Sequence, residues 1–252
     1  KSSLELKAES RGGLDFHVEV GQIETQDITT ENGTFTRLLI PGFHSSKLEG
    51  QPELPMMNKL IALPTGGEAQ ISVRNLKTRL INLADYGITN PVFPAQPSVS
   101  KSADLDNLPF VYDAASYQRA QIAPELAQVE YQGRLRAMDF GRLEISPVAY
   151  YPATGELEVV ESMDISVTYV GENRAVAEDL YLSTYSPFFE HLYAGLAGSR
   201  AFQDDYPDRV GDTVTYVVVV PPMFVSQMAD FIDWKTERGF NVITAVTGTP
   251  EV

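Results

Sequence analysis

The sequence predicts a mainly β protein: an antiparallel, jelly-roll-like β-sandwich with a late helix, followed by an incomplete α/β segment. Three observations lead there. From Leu14 to about Thr168 the chain alternates short apolar and polar stretches broken by Gly, Pro, Asn and Asp, and a period of two belongs to half-buried strands. Near the end, "STYSPFFEHLYAGLAG" carries helical spacing. After it, "YVVVVPPMFVSQMADFIDWKTERGFNVITAV" changes character to an apolar strand, an amphipathic helix and a second strand.

"FHVEV", "TFTRLLIP", "KLIALP", "QISVRNL", "RLEISPVAYYP" and "ELEVVESMDISVTYV" read in turn as strands. Asn32-Gly33 in "ENGT" predicts a hairpin with a type I′ turn, whose two central residues need positive φ. "PATGE", 152–156, predicts a second tight turn. Many short strands at this spacing suggest a sandwich or barrel, and pattern alone does not separate a jelly roll from another Greek key. The late helix is expected from Ser186 as N-cap and Pro187 at the first position, stopping at Gly198, with Phe188, Leu192 and Leu196 on its docking face. Ser199–Thr213, "SRAFQDDYPDRVGDT", is polar, aperiodic and punctuated by Pro and Gly, so an exposed linker is expected. "TYVVVV" reads as a strand buried on both faces of a parallel sheet. Ser226 is the expected N-cap of the next helix, and Gly239 its C-terminal glycine. A two-stranded parallel ladder needs helices on both faces, so this unit reads as the start of a larger α/β domain.

Composition narrows the function classes. The chain has 252 residues, 43% of them hydrophobic, which is globular rather than disordered. No run approaches the ~20 apolar residues of a membrane-spanning helix, so no membrane insertion is expected. "KSSLELKAES" at the start has charge and no apolar core, so no signal peptide is expected within these residues. The net charge of −15 argues against nucleic acid or anionic lipid as partner. Cysteine is absent, which excludes disulfides, thiolate metal sites and a cysteine nucleophile in this chain. The three histidines, His17, His44 and His191, share no metal-ligand spacing. Asp204, Asp205 and Asp208 lack the spacing of a calcium loop. No metal or cofactor is expected.

Several segments carry a family pattern. Asp233, Trp234, Lys235, Arg238 and Gly239 form a D-W-K-x-x-[RK]-G motif at the end of a helix between two apolar strands. "GQPELPMMNKLIALP" is similar to a Gly-x-Pro-x-Leu-Pro segment followed by an apolar strand. "LPFVYD", "GRLEISPVAYYPATGELEVV" and "SPFFEHLYAGL" follow in order. From about Gly42 to Val246 the chain resembles the propeptide, and then the opening of the catalytic domain, of gingipain-type cysteine peptidases, peptidase family C25.

The resemblance implies a secreted zymogen with a β-sandwich propeptide that assists folding and keeps the peptidase latent until it is cut at basic residues in the junction. It implies three parts: a propeptide domain over 1–198, a junction linker over 199–213, and the first βαβ unit of the peptidase over 214–252. The family's catalytic His and Cys lie downstream of these segments, so the chain itself is not expected to be an enzyme. The implied partner is the cognate catalytic domain. Self-association through the βαβ tail is a further expectation, and the implied location is secreted, periplasmic or on the outer surface of a bacterium.

Lys101 stands out. It lies in the aperiodic "QPSVSKSADLDNLPF", between Arg79 and Arg119 with no other basic residue, eight residues before Pro109. Family propeptides place a basic residue in this loop, and it enters the peptidase's S1 pocket. Arginine-specific members carry Arg there, so the resemblance implies an enzyme that prefers Lys or accepts both. The plain alternative is a solvated lysine. Arg200 and Arg209 flank "AFQDDYPD" and are the candidate processing sites, against ordinary surface arginines. Trp234 is expected as a core anchor. Arg134 and Arg136 alternate within "YQGRLRAMDF", which suggests one strand face against the enzyme or plain solvation. A different class also fits: an extracellular β-sandwich binding or adhesion module with an aromatic platform and no peptidase role. A third reading is a folding-assistance domain that never touches the active site.

Overall fold

A computed structural model describes residues 1–102, 108–184, 189–203 and 214–249. The first strands are β1 (Ser3–Ser10), β2 (Gly13–Glu19), β3 (Glu24–Thr30), β4 (Gly33–Leu39), β5 (His44–Ser45), β6 (Pro55–Leu63) and β7 (Glu68–Asn82). Then come β8 (Ala127–Leu135), β9 (Met138–Ile145), β10 (Val148–Tyr151) and β11 (Glu156–Val170). Short helices α1 (Arg174–Thr184), α2 (Glu190–Tyr193) and α3 (Arg200–Gln203) follow, and β12 (Thr215–Val220), α4 (Ala229–Glu237) and β13 (Asn241–Val246) complete the order.

The expected antiparallel sandwich is present. One sheet runs β1-β2-β11-β10, with β7 along the other edge of β11. The second runs β5-β6-β9-β8. Alternation explains how they meet. In β2, Leu14, Phe16 and Val18 point inward while Asp15, His17 and Glu19 point out. β11 contributes Met163, Ile165 and Val167, and the opposing sheet supplies Ile61, Leu63, Leu143 and Ile145. Each such burial is worth about 1.5–3 kcal/mol, so this interface dominates the stability. A second core lies beside it, where Leu38, Ile40, Leu54, Leu83 and Val92 cover Val148, Tyr150, Leu157 and Val159 of β10 and β11. This second core positions the candidate site.

Several local expectations need correction. The β3–β4 hairpin forms, but its turn is not type I′. Thr30 pairs with Gly33, so Glu31 and Asn32 are the central residues, and neither has positive φ; Gly33 does, at 119°. The Thr30 hydroxyl donates to the Gly33 carbonyl at 3.0 Å and accepts from Asn32 N–H at 3.1 Å, which fixes this alternative. The "PATGE" turn forms as expected, with Gly155 at φ 67° and Tyr151 opposite Glu156.

The late helix is shorter than the pattern suggested. Ser186, Pro187 and Phe188 lie outside the described residues; α2 covers four residues, and Leu192 is 40% exposed. Tyr193 and Leu196 are the buried anchors instead. The chain leaves the helix because Ala197 joins the edge of β6: Ala62 N–H donates to Ala197 O at 2.9 Å, and Ala197 N–H to Leu60 O at 3.0 Å. Helix α1 was not legible, because Tyr181 is its one buried residue and leaves no stripe. Asn173 starts it, its side chain accepting from Val176 N–H at 3.2 Å. The buried region also runs past the expected boundary at 198. Ser199 and Phe202 are 4% and 8% exposed, so the chain at 199–202, where α3 begins, is anchored by these two residues and not a fully exposed linker.

The strand–helix–strand unit forms, with β12 and β13 parallel. Its strands are covered on one side only. Val218 and Val220 are buried while Val217 and Val219 are 55% and 61% exposed, so "TYVVVV" is not buried on both faces. Met228, not Ser226, stands at the N-terminal boundary of α4, without a side-chain cap bond, because 226–228 forms a 3-10 turn ahead of it. Gly239 takes φ 86° and its N–H donates to Thr236 O at 2.9 Å, as a C-terminal glycine does.

Candidate functional site

Residues 91–95 run as an extended segment bonded on both sides. Thr36 N–H donates to Pro91 O at 2.9 Å, and Phe93 N–H to Thr36 O at 2.8 Å. On the other side Glu53 N–H donates to Phe93 O, Ala95 N–H to Gln51 O and Gly50 N–H to Ala95 O, each at 2.8 Å. The chain then leaves at Gln96 and Pro97 and returns through Phe110, Val111 and Tyr112.

The returning arm is fixed as firmly. Asp113 N–H donates to Gly50 O at 3.0 Å. Gly50 sits at φ 77°, and a Cβ there would lie 2.8 Å from Asp113 N, so only glycine allows this approach. Phe110 packs against Phe35 at 5.4 Å and Phe93 at 6.2 Å. Tyr112 stacks on Tyr117 at 4.6 Å, and the Tyr117 hydroxyl donates to Val92 O at 2.6 Å. Burial pushes the Tyr117 phenol far above its ordinary pKa, so it stays a neutral donor. Arg37 lies 4.6 Å over the Phe93 ring and pairs with Glu53 at 3.1 Å.

Between these arms lies the loop that carries Lys101. Lys101 is exposed and forms no ion pair with any described residue. Val99 on the outgoing side and Leu108 on the returning side are 48% and 43% exposed. The arrangement offers a cation at an exposed turn, on a loop whose two ends are pinned beside the second core. The sequence singled out Lys101 but missed its support. Gly50 and "LPFVYD" both stood in family-like segments, yet their pairing across 63 residues left no periodic signal.

The other candidates fall elsewhere. Arg200 opens α3, between buried Ser199 and the turn that buries Phe202. Arg209, Asp204, Asp205 and Asp208 lie outside the described residues. Arg134 and Arg136 do not form a free stripe. Arg134 makes a two-pronged contact with the buried Asp139, at 2.7 and 3.0 Å. Arg136 sits in a turn at φ 54° and donates to Thr184 O at 2.7 and 3.0 Å. Trp234 is 45% exposed and so is not a buried anchor. Lys235 takes the central position: its ammonium lies 4.6 Å from the Trp234 ring centre, 4.8 Å from Tyr216 and 5.1 Å from Phe240. Asp233 is exposed on α4. Among the described residues no group of three His, Asp or Glu could hold a metal, and no helix is long and apolar enough to cross a membrane.

Comparison with known proteins places these features. The C25 propeptide family model (Propeptide_C25) matches residues 5–181. Lys-gingipain of Porphyromonas gingivalis is 33% identical over 240 residues, covering 95% of this chain and 14% of that protein. Gingipain R2 of the same organism is 23% identical over 192 residues, 76% of this chain and 25% of that one. This chain therefore spans a minor part of the length of its curated relatives. A solved structure on the zymogenic latency of gingipain K from Porphyromonas gingivalis aligns with TM-score 0.59 and 32% identity, over 68% of this chain and all of that one. The complex of RgpB pro- and mature domains aligns with TM-score 0.63 over 79% of this chain and 98% of that one; at 18% identity it shows a shared fold. The sandwich, the matched residues and these relatives agree: the chain belongs to the C25 propeptide family.

Proposed function

We propose that this chain is the prodomain that keeps a secreted C25-type cysteine peptidase latent, and that it does so by placing Lys101 in the enzyme's cleft. One observation carries the reading: an exposed lysine, with no ion pair to any described residue, in a loop whose two ends are fixed by backbone bonds and an aromatic cluster. A lysine presented at an exposed turn can stand where the residue before a scissile bond would. An acidic S1 pocket would pair with it, and closure of the cleft would strengthen that pairing. Inhibition also requires that the bond after Lys101 stay out of attack geometry. Fixed ends serve both demands, because less freedom is lost when such a loop enters a cleft.

The remaining parts fit this role. The chain has no cysteine, so thiolate chemistry would come from residues outside it. The uncovered β12–β13 face, with Val217, Val219 and Ile243 exposed, is read as the contact surface for the rest of the peptidase domain. Processing is assigned to Arg209 over Arg200, since a peptidase binds its substrate extended and Arg200 lies in a helical turn between buried neighbours. Folding assistance and export from the bacterium belong to the same proposal.

Two experiments test it. Reading the gene downstream of Val252 should reveal a His followed by a Cys in an α/β context; a stop codon or a wall anchor would contradict the reading. Co-expression of chain and peptidase should give a complex that is inactive until the junction is cut, with the new end following Arg209.

A further inference from the structure

We propose that Gln96 is the positioning residue of the Lys101 loop, a side-chain clamp that lets the loop occupy a peptidase cleft without being cut. This inference rests on the Lys101 reading above. The Gln96 amide is used in full across the loop's base. Its Nε2 donates to Pro94 O at 3.0 Å and to Val111 O at 2.9 Å, and its Oε1 accepts from Val111 N–H at 3.0 Å. A primary amide has two donors and one carbonyl, so no donor is left over. Toward Val111 the amide presents one donor and one acceptor, as a backbone residue does across an antiparallel pair.

The chain has a reason to use a side chain there. The next residue on the outgoing arm is Pro97, which has no N–H to donate, so a backbone ladder stops at that point. Gln96 supplies the missing rung. Lys101 follows five residues on, within an extended reach of at most about 18 Å. The clamp is the last fixed contact on the outgoing arm among the described residues before the Ser100–Ser102 turn. Fixing both arms restricts how far the Lys101 carbonyl can approach a nucleophile, and a misplacement of about 1 Å from attack geometry is enough to slow cleavage by orders of magnitude.

If the arms are released, the loop becomes a substrate. The Lys101–Ser102 peptide bond would be hydrolysed, the hydroxyl of water going to the Lys101 carbonyl carbon and a proton to the Ser102 amine.

The test uses the mature peptidase of the same gene as probe, with five forms of the full chain: parent, Gln96→Met, Gln96→Glu, Lys101→Ala and the Gln96→Met/Lys101→Ala double variant. Circular dichroism first establishes that each is folded. Gln96→Met keeps the length of the side chain and loses all three bonds. It should inhibit about tenfold more weakly, and its inhibition should decay as mass spectrometry shows a cut after Lys101, while the parent stays intact. Gln96→Glu probes the bonds without relying on Gln96→Met. Ionised, it faces two carbonyls; protonated, it again donates to one of them. Its inhibition relative to the parent at the same pH should therefore recover as pH falls. Gln96→Met combined with Lys101→Ala should inhibit no worse than Lys101→Ala alone. If Lys101→Ala weakens inhibition while Gln96→Met stays uncut at parent strength, the clamp is overturned and the Lys101 reading stands. A Gln96→Glu form that shows no recovery at low pH overturns it too. If Lys101→Ala inhibits like the parent, the Lys101 reading itself fails.

Discussion

Asn75 shows how much a single residue arranges on the outer face of the first sheet. It takes φ 51° at an irregularity in the β7–β11 register, a conformation asparagine tolerates better than most residues. Its amide donates to Asp164 Oδ2 at 2.6 Å, and His17 Nδ1 meets Asp164 Oδ1 at 2.6 Å. The Asn75 bond first, then His17, hold the Asp164 carboxyl below its ordinary pKa. A depressed carboxylate stabilises the fold above its unfolded pKa and loses that contribution as pH falls through the folded value. Asn75→Gly keeps the backbone conformation and removes the donor. Its acid-unfolding midpoint, read by circular dichroism, should move to higher pH than the parent's. At Gly50 the expectation is steric: Gly50→Ala would crowd Asp113 N at a left-handed φ and cost about 1–3 kcal/mol in urea unfolding. At this scale sequence reading picked out Lys101, Gly239 and the tight turn at Gly155. It could not find Gln96, because a glutamine that spans a loop looks like any polar loop residue until Val111 is beside it.

At the scale of elements, α3 separates packing from linker. Phe202 lies against Tyr169 at 6.0 Å and under the Arg11 guanidinium at 5.5 Å, so Phe202→Ala should cost about 3 kcal/mol in urea unfolding. A change near zero would mean that 199–203 is linker after all. The same packing predicts the order of cutting: Arg200→Ala should leave processing unchanged, and Arg209→Ala should slow it, as followed by N-terminal sequencing of the products. Strands such as β2, β9 and β11 were legible because buried apolar residues recur at every second position along most of their length. β3 was not, because "ETQDITT" is largely exposed and polar; in β1 the alternation of Leu4 and Leu6 with Glu5 and Lys7 is short, and both leucines are only half-buried. The late helix was over-read since Phe188, Leu192 and Leu196 have helical spacing, while the backbone of Ala197 is recruited by β6.

For the whole molecule, the fold class, the family and the βαβ unit could be read from composition, period and motif order. The support of the site could not, because it joins residues near 35, 50, 93, 96 and 111 through an irregular core with no repeat. What unites the molecule in this account is a division of labour: a sandwich gives rigidity, a second core anchors a loop, and the loop carries one exposed lysine. The most direct test is a titration of the mature peptidase with the chain and with Lys101→Ala, followed by residual activity. The parent should inhibit at one-to-one stoichiometry. Lys101→Ala should bind at least about 30-fold more weakly, the lower end of the cost of removing one partner from a buried charged contact. Equal inhibition by both forms, or none by the parent, would contradict the account.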